Sequence, residues 1–254
     1  MTTTTYPTSR LDDIHRLEQE LLVALAGLTD DQVRGPSSLP GWTRGHLLAH
    51  LGGVASAVAR QLENAVKDAE RVDFYDGGRA GRDAAIELAA PAPAADHLAT
   101  LRTAIDRVGA ALARMTPETL ARRTGHRDRP ASALIDAWWR ELAIHLTDLE
   151  LGHDATTWTR ELREHLVHHL ADRAPAGVRL HLAATDSDDR WVLSDGAATA
   201  VGLDDTAAAA DGTVTVRGSA NDLVAWLAGR RPLSPVVAER AGAPVALPEL
   251  APWP

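Results

Sequence analysis

The sequence predicts an α+β protein: an N-terminal four-helix bundle followed by a small C-terminal α/β domain. Three observations predict it. Four long segments before Gly152 repeat apolar residues at helical spacing. After Gly152 the texture shifts to short alternating runs. The 254 residues, 45% of them hydrophobic, suffice for two modest cores. The expected boundary gives a helical domain over 1–155 and an α/β domain over 156–254.

The first helix is read over Asp12 to Leu28, where Leu17, Leu21, Leu22 and Leu25 recur at helical spacing before Gly27 and Thr29-Asp30-Asp31 end it. After a loop from Gly35-Pro36 to Gly41, Thr43 is the expected N-cap of a second helix. That helix carries Leu47, Leu48, Leu51, Val54 and Val58 and ends near Val66. Asp73 to Gly81 reads as a glycine-containing connection, and Ala90 to Ala95 as an Ala/Pro linker. Asp96 is expected to cap a third helix with Leu98, Leu101, Ile105, Val108 and Leu112. Pro130 is expected to start a fourth, which carries Leu134, Trp138, Leu142, His145 and Leu149 and stops at Gly152. Four amphipathic helices on short loops make a bundle.

Beyond Gly152, Thr159 to Arg173 reads as one more helix. Val178 to Ala184 alternates as a strand, Arg190 to Ser194 pairs with it, and Thr213 to Arg217 is a third β-like run. Ser219 to Gly229 is a helix with Leu223, Val224, Trp226 and Leu227. The Pro-rich tail is expected to cross the surface and dock on the body. Ala207 to Ala210 is a short alanine tract in an acidic turn, and no repeat is present.

A net charge of −9 argues against general nucleic-acid binding, which needs cationic surface to displace phosphate counterions. A local arginine still permits a small anionic substrate. The absence of cysteine removes disulfides, thiolate metal ligands and a protein-borne sulfur nucleophile. No apolar leader or run of roughly 18 apolar residues occurs, so a cytoplasmic protein without membrane spans is expected. Seven of the ten aromatics are Trp. Trp42 and Trp138 or Trp139 are expected to fill the bundle, since a buried indole needs a partner for its N–H.

Two residue pairs bear chemistry. Glu141 and His145 stand four apart on the fourth helix and project from one face, one turn apart. His46 and His50 share that spacing on the second helix, and His50 lies on the apolar stripe with Leu47, Leu51 and Val54. One imidazole from a facing helix completes a three-ligand set with Glu141 and His145, leaving positions open as catalytic metal sites do. With 35 acids and 11 histidines, a chance surface pair or a hydrogen-bonded core histidine is the commoner outcome of such spacing. His46 with His50 is the rival ligand set. His165, His168 and His169, set among Arg and Glu, read as a solvated face.

The segment from Leu39 to Leu51, Leu-Pro-Gly-Trp-Thr-Arg-Gly-His-Leu-Leu-Ala-His-Leu, resembles the signature of the DinB-like, mycothiol-dependent maleylpyruvate isomerase family. Trp139 to Gly152 resembles its second metal motif. Val216-Arg217-Gly218-Ser219 through Trp226-Leu227-Ala228-Gly229-Arg230 resembles its C-terminal motif, and Leu247-Pro248 to Pro252-Trp253 its tail. The matches run in order along nearly the whole chain. The resemblance implies a helical bundle followed by a small α/β domain.

It also implies metal ligands at His50, Glu141 and His145, with His46 outside the set. The implied cofactors are a divalent metal, zinc by expectation although iron, nickel or cobalt suit the same donors, and the low-molecular-weight thiol mycothiol. The implied activity is isomerisation of maleylpyruvate to fumarylpyruvate in gentisate degradation: thiolate addition, bond rotation and elimination. Two substrate carboxylates call for arginine. Arg230, on the family's Trp-Leu-x-Gly-Arg pattern, and Arg82 are the candidates, with Arg217 a further one. The alternatives are a mycothiol S-transferase, favoured by a wide apolar cavity, and a non-enzymatic metal-binding module. A monomer or homodimer is expected.

Overall fold

The computed structural model describes residues 6–202 and 212–253. The chain forms two compact units, Met1–Asp154 and Ala155–Pro254.

In the first unit the four expected long helices are α1 (Thr8–Ala26), α3 (Arg44–Lys67), α5 (Ala94–Leu112) and α7 (Ser132–Asp148). Between them lie α2 (Asp30–Arg34), α4 (Gly78–Ala89) and α6 (Pro117–Leu120). Helix α3 touches α5, α7 and α4, while α1 lies on α7 and α5. Their apolar stripes meet in one core in which Leu21, Leu47, Leu51, Leu101, Leu134 and Trp138 are buried. Both α7 tryptophans find the partner a buried indole needs. Trp138 Nε1 donates to Glu18 Oε1 at 2.7 Å, and Trp139 Nε1 to Asp13 Oδ2 at 2.8 Å, both on α1.

Thr43 caps α3 as expected. Its hydroxyl accepts from the His46 amide, and His46 Nδ1 accepts from the Thr43 amide at 3.2 Å, a reciprocal box. Other expectations at helix ends fail. Asp96 lies inside the first turn of α5, whose first amide, Ala94 N, is met instead by Asp30 Oδ1 of α2 at 2.8 Å. Pro130 stands two residues ahead of α7 in an isolated bridge with Arg123. That helix ends at Asp148 and not at Gly152, after which Glu150 (φ 53°) and Gly152 (φ 89°) turn the chain left-handed. Helix α4 overlaps the stretch read as a connection, because only Ile86 on it is buried and its apolar stripe is too thin to show a period. Where α4 ends, a Cβ on Gly45 would lie 2.1 Å from the Ala90 carbonyl oxygen, so only glycine lets α3 approach so closely.

Among the described residues the second unit is a six-stranded sheet with two α-helices, α8 (Arg160–His169) and α9 (Ala220–Leu227). Its strands are β1 (Leu180–Ala184), β2 (Arg190–Ser194), β3 (Ala197–Ala200), β4 (Val214–Gly218), β5 (Val237–Arg240) and β6 (Ala243–Val245), ordered β3-β2-β1-β4-β5-β6. β1 and β4 run parallel, every other pair antiparallel, and Leu180 faces Val214 and Leu193. β1 pairs with β2 as expected, although β1 is buried along its whole length instead of alternating. The helix expected over Thr159 to Arg173 is shorter: α8 ends at His169 and a 3₁₀ turn covers Ala171–Arg173. The tail docks as expected at Ala251, whose amide donates to the Arg173 carbonyl at 2.9 Å and whose carbonyl accepts from Arg173 Nε at 2.8 Å, but it is not all surface crossing. Part of it forms the β5–β6 hairpin, turned at Ala241 and Gly242, both left-handed (φ 50° and 79°). The Ala207 to Ala210 tract lies outside the described residues.

Candidate metal centre

Helices α3 and α7 pack against each other, and their polar residues meet within the buried stripes. His50 on α3 is buried, its Nε2 3.0 Å from Glu141 Oε2. Glu141 and His145 project from one face of α7, with His145 Nε2 3.1 Å from the same oxygen. One ligand atom from each of the three residues lies within 4.8 Å of the others, a geometry that can hold a metal ion. The imidazole rings meet edge to face at 4.8 Å between centroids. Three donors converge on one point while about a third of the Glu141 side chain stays open to solvent.

The electrostatics follow from what surrounds each group. Burial pushes the Glu141 carboxyl up, yet hydrogen bonds from His145 and His50 outweigh it and hold the group well below the carboxylate range. Burial draws His50 down and so favours the neutral ring that a metal needs. Burial acts on His145 in the same sense, but Asp148 and Glu141 more than compensate and raise it.

The second nitrogens are also committed. His145 Nδ1 donates to Asp148 Oδ2 at 2.9 Å, and the fully buried Asp148 accepts from the Ser38 hydroxyl at 3.1 Å. A carboxylate behind a histidine fixes which nitrogen faces inward. Asp148→Asn should therefore weaken zinc affinity roughly 10- to 100-fold without loss of helix content, measured by competition with a chromogenic chelator. Wild-type affinity in that variant would mean Asp148 does not orient His145.

Arg82 on α4 is brought to the triad, its Nη2 3.2 Å from His50 Nδ1. Its guanidinium lies 6.0 Å from the Trp42 ring centre and 5.9 Å from that of Tyr75. Trp42 itself stands edge-on to His50 at 5.8 Å, so it walls the site instead of filling the bundle as expected. Tyr75 is pushed up to about 12 by burial and by Glu141, and stays a neutral phenol. On the other side Arg140, Arg127 and Arg129 gather near His126, which burial and these cations hold down at about 4.

His46 is not part of the triad. Its ring is used in capping α3, and Nε2 lies 3.5 Å from Glu87. Arg230 and Arg217 belong to the second unit. There Arg230 Nη1 donates to the Ala228 carbonyl at 2.8 Å with its guanidinium 5.1 Å from the Trp253 ring centre, and Arg217 pairs with Glu239 at 2.9 Å. In α8, His165 and His169 are half-buried and stacked, and His168 is exposed. Sequence reading missed Asp148, Tyr75 and the Arg140 cluster. Asp148 had a signal: it follows His145 by three, one turn on along the helix.

A family model described as the mycothiol maleylpyruvate isomerase N-terminal domain matches residues 14–150, the stretch that contains the whole triad. The chain belongs to this family. No curated protein matches it. Two solved structures share the fold of this maleylpyruvate isomerase family member. They are the crystal structure of the mycothiol-dependent maleylpyruvate isomerase and that of a histidine-to-alanine mutant of it, each at a TM-score of 0.79 and 22% identity over 100% of both chains. Among the described residues no helix is long and apolar enough to cross a membrane.

Proposed function

We propose that His50, Glu141 and His145 hold one divalent metal ion, zinc by the nature of the donors, and that the protein is a thiol-dependent cis–trans isomerase of a maleylpyruvate-like substrate. The observation that carries this is the convergence of two imidazole nitrogens and one carboxylate oxygen within 4.8 Å, inside the region that the family model matches. The donors fit the ion: His50 is biased to the neutral ring, Glu141 to the charged form, and His145 is oriented from behind by Asp148. A metal held by these three residues would supply the charge that keeps a thiol as thiolate at neutral pH, the nucleophile whose reversible addition to a conjugated double bond permits rotation.

The chain's own residues do the rest. As described, Arg82 donates to His50 Nδ1, so the ring hydrogen sits on Nε2 and points at Glu141. Were Nε2 to hold a metal, the hydrogen of the neutral ring would stand on Nδ1, which would no longer accept from Arg82. Arg82 Nη2 would then be available to a substrate carboxylate, Nη1 being paired with Asp83 at 2.6 Å, while Trp42 and Tyr75 flank the guanidinium. Arg230 is proposed as the second carboxylate ligand on its motif alone.

Arg82→Met should remove about 1.5–3 kcal/mol of charge-assisted hydrogen bonding, lowering kcat/KM roughly 10- to 150-fold at unchanged metal content. Steady-state kinetics beside metal analysis checks this, and unaltered kcat/KM would remove Arg82 from the site. The function itself is tested by anaerobic incubation of zinc-loaded protein with maleylpyruvate, following substrate absorbance. Loss of absorbance should require both metal and mycothiol. No turnover with both present would refute the isomerase, and a stable thiol adduct in the mass spectrum would replace it with an S-transferase.

A further inference from the structure

The segment that joins α3 to α4 is pinned down from α3. Gln61 Nε2 donates to the carbonyls of Val72 at 2.9 Å and Asp73 at 3.2 Å. Arg60 Nη2 donates to those of Asp73 and Phe74, each at 3.0 Å, and Arg60 Nη1 to Asp76 Oδ1 at 2.7 Å. The side-chain oxygen of Gln61 in turn accepts from the Gly125 amide at 2.8 Å. Two close approaches complete the clamp. A Cβ on Gly125 would lie 1.9 Å from the Val72 carbonyl oxygen, and one on Gly81 1.9 Å from that of Asp76.

The clamp presents Tyr75. Its ring meets Phe74 edge-on at 4.7 Å, and Phe74 lies 4.8 Å from the His126 ring. Tyr75 lines a cavity of about 270 Å³ that also contains His50 and Arg82. The Arg82 guanidinium, 5.9 Å from the Tyr75 ring centre, reaches His50 Nδ1 at 3.2 Å. Toward Arg82 the phenol oxygen can only accept, because a guanidinium has no acceptor to offer. Among the described residues nothing accepts the phenol hydrogen. Burial and the nearby Glu141 carboxylate keep that hydrogen in place at neutral pH.

Cis–trans isomerisation has a use for it. Rotation needs the π pair of the substrate's double bond moved off that bond. As a C–S bond forms at the carbon β to the ketone, the pair shifts onto the ketone oxygen, giving an enolate, and the remaining single bond turns. The pair then returns, the double bond re-forms as trans, and the C–S bond breaks with release of the thiolate. Atoms and electrons balance, and no proton need move. A neutral donor fixed in place before the charge develops stabilises it without reorganisation.

We propose that Tyr75 is a catalytic residue whose hydroxyl donates a hydrogen bond to the enolate oxygen and keeps its proton throughout. This rests on the function proposed above. Arg82 then holds a carboxylate, and Tyr75 the oxygen on which charge appears.

Tyr75→Phe should lower kcat roughly 100- to 1000-fold, with KM, zinc content and urea midpoint little changed, because that oxygen is charged chiefly in the transition state. A fluorinated tyrosine in its place, with a more acidic hydroxyl, should keep kcat at or above the wild-type value, which ring packing alone does not explain. A second readout needs neither metal nor thiol: calorimetric binding of acetylpyruvate, an enolised β-diketo acid, to the metal-free protein. Tyr75→Phe should weaken that binding about tenfold, the loss of one hydrogen bond. Unchanged kcat in Tyr75→Phe, or acetylpyruvate bound alike by wild type and variant or by neither, would overturn the proposal. Acetylpyruvate binding that depends on Tyr75, in a protein that does not turn over maleylpyruvate, would sustain the donor and refute the isomerase.

Discussion

His50→Ala should fold normally and retain no stoichiometric zinc, whereas His46→Ala should keep its zinc. The two histidines lie one turn apart on α3, and spacing alone does not separate them. Their surroundings do. His50 is buried with Nε2 against Glu141, while His46 spends Nδ1 on the helix cap and turns Nε2 toward Glu87. A site with three protein ligands loses a third of its donors in His50→Ala, and the remaining Glu141–His145 pair on one helix cannot hold zinc against a competing chelator. Metal analysis after dialysis, with helix content from circular dichroism, checks both variants. Zinc that survives His50→Ala and falls in His46→Ala would assign the site to the rival pair. His46→Ala should cost some stability instead, since it breaks half of the α3 capping box.

The second large effect concerns the frame. Trp138→Ala should destabilise the helical unit by about 3–5 kcal/mol, a large part of the roughly 5–15 kcal/mol that holds a domain together. Trp138 is fully buried, and its indole is the donor to Glu18. Truncation leaves a cavity and takes the indole hydrogen bond from the Glu18 carboxylate, which keeps only His15 at 4.0 Å. Because α7 also carries Glu141 and His145, zinc binding should weaken along with the urea midpoint.

Trp138→Phe separates the two contributions by pH. Burial holds the Glu18 carboxyl above its usual range, opposed by the Trp138 hydrogen bond. A carboxyl raised in the folded state contributes stability fully below its unfolded value of about 4.3. That contribution is lost as pH rises through the folded value. Without the indole donor the loss grows, so Trp138→Phe should be more damaging at pH 7 than at pH 4. A pH-independent difference would mean that the hydrogen bond to Glu18 does not matter to stability.

The long helices were readable because each buries a wide stripe: Leu17, Leu21 and Leu25 on α1, or Leu134, Trp138 and Leu142 on α7, repeat with the helical period. Helix α4 was not, since it buries Ile86 alone, and α5 hid its start because the residue that caps it, Asp30, lies 64 positions away. The β5–β6 hairpin lay under a Pro-rich surface whose residues are mostly exposed, so alternation left little trace. At the site, periodicity found Glu141 and His145 and placed His50 on the buried stripe. It could not find Asp148 or Tyr75, whose roles depend on what each side chain touches.

In the proposed function the triad holds a metal so that the metal can hold a thiol. X-ray absorption at the zinc edge measures this directly. Zinc-loaded protein alone should show only nitrogen and oxygen neighbours, with imidazole scattering from two histidines. Added mycothiol should bring in one sulfur at about 2.3 Å, and His50→Ala should abolish the signal. A zinc spectrum that mycothiol leaves unchanged, with no sulfur shell, would contradict thiolate ligation at the triad.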